Sequence, residues 1–227
     1  MRCHVAFTPA EAVSAQLGIV VDVMRATSTI AQALASGYER VLCCAEIDEA
    51  RRLRAELGDA AITGGERDAL VILGFDAGAS PREFLEPRAE TLILSTTNGT
   101  RAIVSAAASC GEVVIGSLLN LGAVASAAHS RGEDTVIVCS GYKDAFAIDD
   151  AYCAGRIVAL LEGDRSDSAI AAELIAERFP NAIDGINART YGPPGLEDDI
   201  AWCSQVDTLD VVPRFSRMVG ASAAGTL

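Results

Sequence analysis

Short apolar runs alternate along the chain with longer stretches in which apolar residues recur at helical spacing. The runs GIVVDV (18–23), RVLCCA (40–45), TLILST (91–96), EVVIGS (112–117) and TVIVCS (135–140) are continuous and rich in Val and Ile. Such runs suit strands buried on both faces of a parallel sheet. Between them, residues 27–37, 47–58, 99–111, 120–132 and 149–163 carry helical periodicity, mostly on Ala-rich sequence, and several end at a glycine, the usual helix stop. Strand and helix in alternation predict an α/β layered domain with a largely parallel sheet. No linker or low-complexity segment interrupts the pattern before about residue 180. Residues 1–227 are therefore read as one domain, with the Pro-, Gly- and Asp-rich stretch 181–227 as a flanking segment packed on it.

Polar loops leave three of these strands at their carboxyl ends, where open α/β sheets bind ligands. The first follows the 18–23 run and holds Asp22, Arg25, Thr27, Ser28 and Thr29. The second, STTNGTR (95–101), holds Thr96, Thr97, Asn98, Gly99, Thr100 and Arg101 at a predicted helix start. Unsatisfied N–H groups at a helix N-terminus favour an anion, hydroxyls add donors, and an arginine adds a bidentate charged contact. One helix cap needs one hydroxyl residue, and these loops carry several. The third loop, after residue 140, leads to the adjacent acids Asp149 and Asp150.

Acids complete the picture. Asp22 ends a buried run, where an ionised carboxylate is costly without a partner or a metal. Glu66 lies in TGGERDA, whose glycines allow close backbone approach to a ligand. Asp22, Glu66, Asp149 and Asp150 offer hard oxygen donors of the kind that suit Mg2+. Either of the 149–150 acids can also serve as a helix cap, and Asp198 and Asp199 read as a solvated turn. No phosphate-binding GxxxxGK[ST] loop, no GxGxxG after a strand and no GxSxG elbow is present.

Charge and cysteines narrow the class. A formal net charge of -13 argues against a general basic face for nucleic acid or an anionic membrane. It leaves room for a small anionic ligand, because exposed charges are screened beyond roughly 8 Å at physiological salt. The seven cysteines are odd in number and lack C-x-x-C spacing, which predicts reduced, buried thiols in the cytoplasm. With only two histidines, a His-rich zinc site is excluded. No apolar run approaches the roughly 20 residues of a membrane span, and a secretory pattern is absent. A homo-oligomer is left open.

These features together predict metal-assisted chemistry on a phosphate ester, with Asp22 as nucleophile, general base or ligand. The stretches VVDVMRATSTI, GGER, GFDAGASP, LSTTNGTRAI, DDAYCAG and the late Cys203, Asp207 and Pro213 resemble, in order and spacing, the 2-phosphosulfolactate phosphatase family over about residues 19–213. The resemblance implies a three-layer α/β/α sandwich with a parallel or mixed sheet. It implies a Mg2+-dependent phosphatase converting 2-phosphosulfolactate to sulfolactate and phosphate, in coenzyme M synthesis. On this reading Asp22, Arg25 and Arg101 are catalytic. Thr27, Ser28, Arg67, Thr96, Thr97, Asn98, Gly99 and Thr100 bind substrate, and Asp22, Glu66, Asp149 and Asp150 hold the metal. Two positions depart from the family pattern: Ala79 stands where an Asn is usual, and Asp149 where a Glu is usual. They motivate an alternative, an anion-binding or regulatory module without turnover. A nucleotide or sugar-phosphate transferase is a weaker third reading, because no nucleotide motif is present.

Overall fold

All five continuous apolar runs become strands in the computed structural model, which describes residues 1–11, 13–192, 194–219 and 222–226. In chain order the first half contains β1 (Arg2–Ala6), β2 (Ala15–Val21), α1 (Ala26–Ala35), β3 (Arg40–Cys44), α2 (Ile47–Leu57), β4 (Ala61–Arg67), β5 (Leu70–Val71) and β6 (Thr91–Ser95). There follow α3 (Gly99–Ser109), β7 (Cys110–Gly116), α4 (Leu121–Arg131), β8 (Thr135–Cys139), α5 (Ile148–Val158), β9 (Asp164–Arg165) and α6 (Asp167–Arg178). The chain ends in α7 (Ala182–Asn187), α8 (Glu197–Cys203), β10 (Arg214–Val219) and β11 (Ser222–Thr226).

One sheet runs through the fold in the order β5-β4-β6-β3-β11-β10-β7-β2-β8-β1-β9. It is mixed. Two parallel blocks, β4-β6-β3 and β7-β2-β8-β1-β9, are joined by the antiparallel pair β10–β11. The stretch expected only to flank the domain thus supplies two strands to the middle of the sheet.

Strands buried on both faces explain the continuous runs. In β2, Ile19 and Val21 point into one core with Val124 of α4, Tyr152 and Ile157 of α5 and Ala172 of α6. Val20, between them, points to the other face, against Ile30 and Leu34 of α1 and Ile103 of α3. Alternate residues of β3 and β6 divide in the same way, with Leu42 and Ile93 meeting Ala50 and Leu53 of α2. Helices therefore cover both faces, giving the three-layer α/β/α sandwich. Alanine-rich helix faces allow close packing: a Cβ on Gly155 of α5 would run into the Ala172 carbonyl of α6. The seven cysteines are free, and all but the half-buried Cys110 are buried. No helix among the described residues is long and apolar enough to cross a membrane.

From β2 the chain passes through α1 to β3, and from β6 through α3 to β7, so these crossovers run in opposite senses over one face. Their starts meet, because Gly99, the first residue of α3, abuts Ala26, the first of α1. The two helix starts thus face each other from two parallel blocks that run antiparallel to one another across β10 and β11.

Candidate active site

Asp22 is the first residue past β2 and is almost fully buried. Its Oδ1 accepts the Ala26 N–H at 3.3 Å, at the start of α1. Burial pushes its carboxyl up to about 6, with the charges of Asp149 and Glu66 adding to the rise against the Ala26 N–H. Thr27 and Ser28 are also buried, and their hydroxyls are used locally. Thr27 Oγ1 accepts the Asp22 N–H at 3.0 Å, and Ser28 Oγ donates to the Val23 carbonyl at 2.9 Å. They shape the loop that presents Asp22 and do not line the cleft.

The loop after β6 faces Asp22. A Cβ on Gly99 would stand 2.8 Å from Asp22 Oδ2, so only glycine lets α3 begin this close to the carboxylate. Thr97 donates its N–H at 3.1 Å and its hydroxyl at 3.0 Å to Glu66 Oε1, while Glu66 Oε2 accepts the Ala69 N–H at 2.8 Å. Glu66 thereby couples the end of β4 to the start of α3. Among the described residues, Thr96 Oγ1 is the buried side-chain oxygen left without a hydrogen-bond partner. Thr100 is buried, its hydroxyl 3.4 Å from the Cys44 carbonyl.

Asp149 and Asp150, in the first turn of α5, lie behind the cleft wall. Asp150 accepts the Val23 N–H, the Ser140 hydroxyl and the Gly141 N–H at 2.9–3.0 Å, locking the β2 and β8 loops together. Asp149 accepts the Tyr191 hydroxyl and the Asp150 N–H. Burial raises both carboxyls; the neighbouring acids push Asp150 further, and the Tyr191 hydroxyl and the Arg189 charge oppose the rise at Asp149. Tyr191 also stacks on Tyr142, with ring centroids 4.2 Å apart.

The arginines depart most from expectation. Arg25 lines the cleft, but its Nη1 lies 2.6 Å from Asp199 Oδ2. Asp199, expected in a solvated turn, is buried and also accepts the Ser80 hydroxyl at 2.5 Å. Arg67 spends its guanidinium on the Glu66, Ser95 and Ala45 carbonyls and the Ser95 hydroxyl, pinning β4 to β6 and β3. Arg101 is half exposed and pairs with Asp144 at 2.5 Å.

The cleft is open to solvent and has a cavity volume of about 70 Å3. Of the sequence-expected residues, Asp22, Arg25, Glu66, Thr96, Thr97 and Asn98 line it; Thr27, Ser28, Arg67, Gly99, Thr100, Arg101, Asp149 and Asp150 do not. The pattern reading missed Asp68, Tyr142, Lys143, Arg189 and Tyr191, which also line it. Tyr142 and Lys143 follow β8 in the third polar loop, so their position was a usable signal. Arg189 and Tyr191 sit in the Pro- and Gly-rich stretch, which carries no periodicity.

A cleft built from strand-end carboxylates and a helix start invites comparison with known proteins. The sequence profile of the 2-phosphosulpholactate phosphatase family matches residues 4–217. The chain belongs to this family. Relatives called probable 2-phosphosulfolactate phosphatase come from several bacteria. The chain is 34% identical over 221 residues to one from Symbiobacterium thermophilum, covering 92% of this chain and 94% of the relative. It is 35% identical over 207 residues to one from Clostridium novyi, covering 87% and 88%. For one from Caldanaerobacter subterraneus the identity is 36% over 208 residues, covering 86% of each.

Family membership raises the question of a divalent metal. Among the described residues, no three carboxylate, histidine or cysteine side chains gather as a ready ligand set. Mg2+ seldom needs one, since it commonly takes one or two carboxylates and completes its shell with water and substrate oxygens. Asp22 and Glu66, both on the cleft wall, are donors of that type, with Glu66 already accepting from Thr97 at Oε1 and Ala69 at Oε2. Asp150 spends both carboxylate oxygens on protein donors behind it, whereas Asp149 spends Oδ1 alone, on the Tyr191 hydroxyl and the Asp150 N–H.

Proposed function

We propose that this chain is a Mg2+-dependent phosphatase acting on 2-phosphosulfolactate, or a small phosphoester of the same acidic type, releasing sulfolactate and phosphate. The observation that carries the reading is the meeting of Asp22 with the first turn of α3. A buried carboxylate held up at about 6 faces a helix N-terminus across a glycine. The helix start suits phosphoryl oxygens, and the carboxylate suits a cation or a proton.

Hydrolysis breaks the ester P–O bond, adds water oxygen to phosphorus and returns a proton to the departing alkoxide. In this reading the loop that opens α3, where Asn98 lines the cleft, faces the phosphoryl oxygens, and the unpartnered Thr96 hydroxyl donates to the bound group. Asp22 and Glu66 would hold Mg2+, whose contribution when bound is to neutralise phosphoryl charge. Met24 and Leu196 supply apolar wall that excludes water.

Phosphate release from 2-phosphosulfolactate, measured with Mg2+ and with EDTA, tests the reading. Release that EDTA abolishes and that Asp22→Asn lowers at least about 100-fold in a folded protein is the expected result. Sulfolactate binding without release would turn the reading to an anion-binding module. Release unaffected by EDTA would remove the metal.

A further inference from the structure

Three cations line the cleft: Arg25, Lys143 and Arg189. Arg25 is held by Asp199 at 2.6 Å, and Lys143 by Asp68 at 3.1 Å. Among the described residues, Arg189 makes no hydrogen bond or ion pair. Its charge is nevertheless felt inside, since it pulls down the buried Asp149 carboxyl against the effect of burial. The surroundings hold its loop in place. Two residues on, Tyr191 donates its hydroxyl to Asp149 and stacks on Tyr142. Gly192, at φ +90°, leaves the guanidinium room, since a Cβ there would stand 2.9 Å from Arg189 Nη1.

A guanidinium on a cleft wall, uncommitted to any carboxylate and backed by a tethered loop, is built to receive an anion. The start of α3 and the Asp22–Glu66 pair already account for a phosphoryl group in the phosphatase reading, on which this inference rests. We propose that Arg189 recognises the second acidic group of the substrate, the carboxylate or sulfonate that the phosphoester carries beside its phosphoryl group. A bidentate guanidinium contact selects such a diacid over a simple phosphate ester. The arginines expected from the sequence cannot serve this purpose without giving up their partners: Asp199 for Arg25, backbone carbonyls for Arg67, and Asp144 for Arg101.

Four substrates decide it: 2-phosphosulfolactate, 2-phospholactate (carboxylate alone), phosphooxyethanesulfonate (sulfonate alone) and ethyl phosphate (neither). Wild type, Arg189→Ala and Arg189→Lys are compared in kcat/KM. Arg189→Ala is expected to lose tenfold or more on acid-bearing esters, mainly through KM, and at least fivefold less than that on ethyl phosphate. Arg189→Lys should recover part of the loss. Whichever single-acid ester shows the larger loss names the group that Arg189 reads. An equal loss on ethyl phosphate, or no loss on any ester, overturns the proposal.

Should wild type hydrolyse none of the four, the phosphatase reading fails, and calorimetric titration with sulfolactate, lactate and inorganic phosphate tests Arg189 separately. Tenfold weaker sulfolactate or lactate binding in Arg189→Ala, with a smaller effect on phosphate, upholds the proposal. Equal binding by the variant, or no binding of either acid by wild type, ends it. Because Arg189 makes no hydrogen bond or ion pair among the described residues, the variant should melt with wild type.

Discussion

Asp199 Oδ2 lies 2.6 Å from Arg25 Nη1, and both side chains are nearly withdrawn from solvent, at 7% and 10% exposure. The pair joins the loop after β2 to α8, 174 positions along the chain. Ser80 completes the carboxylate shell with its hydroxyl at 2.5 Å.

Removing one partner leaves the other charge buried and unpaired. Asp199→Ala should therefore cost about 3–5 kcal/mol, a fall in Tm of roughly 10 °C for a chain of this size. Thermal unfolding of Asp199→Ala, and of Asp199→Ala with Arg25→Met, checks this. The double variant should recover part of the loss, because it removes the orphaned guanidinium. A Tm unchanged in the single variant would show that the pair opens to solvent.

Gly99 is required by proximity. A Cβ there would run into Ala26 Cβ, stand 2.8 Å from Asp22 Oδ2 and come 3.3 Å from Thr96 Oγ1. Gly99→Ala must push α3 away from Asp22. Overpacking of this kind costs about 1–3 kcal/mol, and a displacement near 1 Å can cost about 100-fold in rate. Circular dichroism with phosphate-release assays separates the two effects. A folded Gly99→Ala with wild-type kcat/KM would place the chemistry elsewhere.

The scaffold was largely written in the hydrophobic pattern, because a strand buried on both faces must be continuously apolar. β2, β3, β6, β7 and β8 lie within a few residues of the predicted runs. β4 escaped because Gly64 and Gly65 dilute its apolar signal, and packing demands them: a Cβ on Gly65 would strike the Ser95 carbonyl, and one on Gly64 the Phe84 ring. Asp22, Glu66 and Thr96–Asn98 were legible for a related reason, since polar residues at the end of a buried run need a purpose. The arginines were not. Whether Arg25 meets a ligand or Asp199 is decided by an acid far along the chain, and no local pattern encodes that. Arg189 lies in a segment whose geometry is set by glycines and by Tyr191.

The raised Asp22 carboxyl carries a pH signature. Its ordinary value is 3.8 and burial lifts it to about 6, so the native state holds the proton more tightly than the unfolded chain. Its contribution to stability is present below about pH 4 and is lost as pH rises to about 6. Asp22→Asn has no such loss, so in EDTA its stability relative to wild type should increase between about pH 4.5 and 7. Urea denaturation of both proteins at the two pH values reads the difference directly. Added Mg2+ at pH 7 should raise wild type and leave the variant nearly unmoved, since a ligand bound by the native state alone stabilises it. A stability gap equal at both pH values would mean that Asp22 is not the titrating group.

Arg101 offers the sharpest contrast between pattern and structure. It lies in STTNGTR and was expected to be catalytic, yet its guanidinium pairs with Asp144 at 2.5 Å, where the two side chains are 55% and 71% exposed. Such a surface pair contributes about 0–1 kcal/mol, and Arg101 does not line the cleft. Arg101→Ala should accordingly lower kcat/KM by less than about tenfold, against at least about 100-fold for Asp22→Asn. Side-by-side steady-state kinetics of the two variants, at equal Mg2+ and after confirming equal Tm, gives the comparison. A loss in Arg101→Ala matching that of Asp22→Asn would require the guanidinium to leave Asp144 and close on the substrate. Asp144→Ala, which frees Arg101 to move, would then raise the activity that Arg101→Ala abolishes.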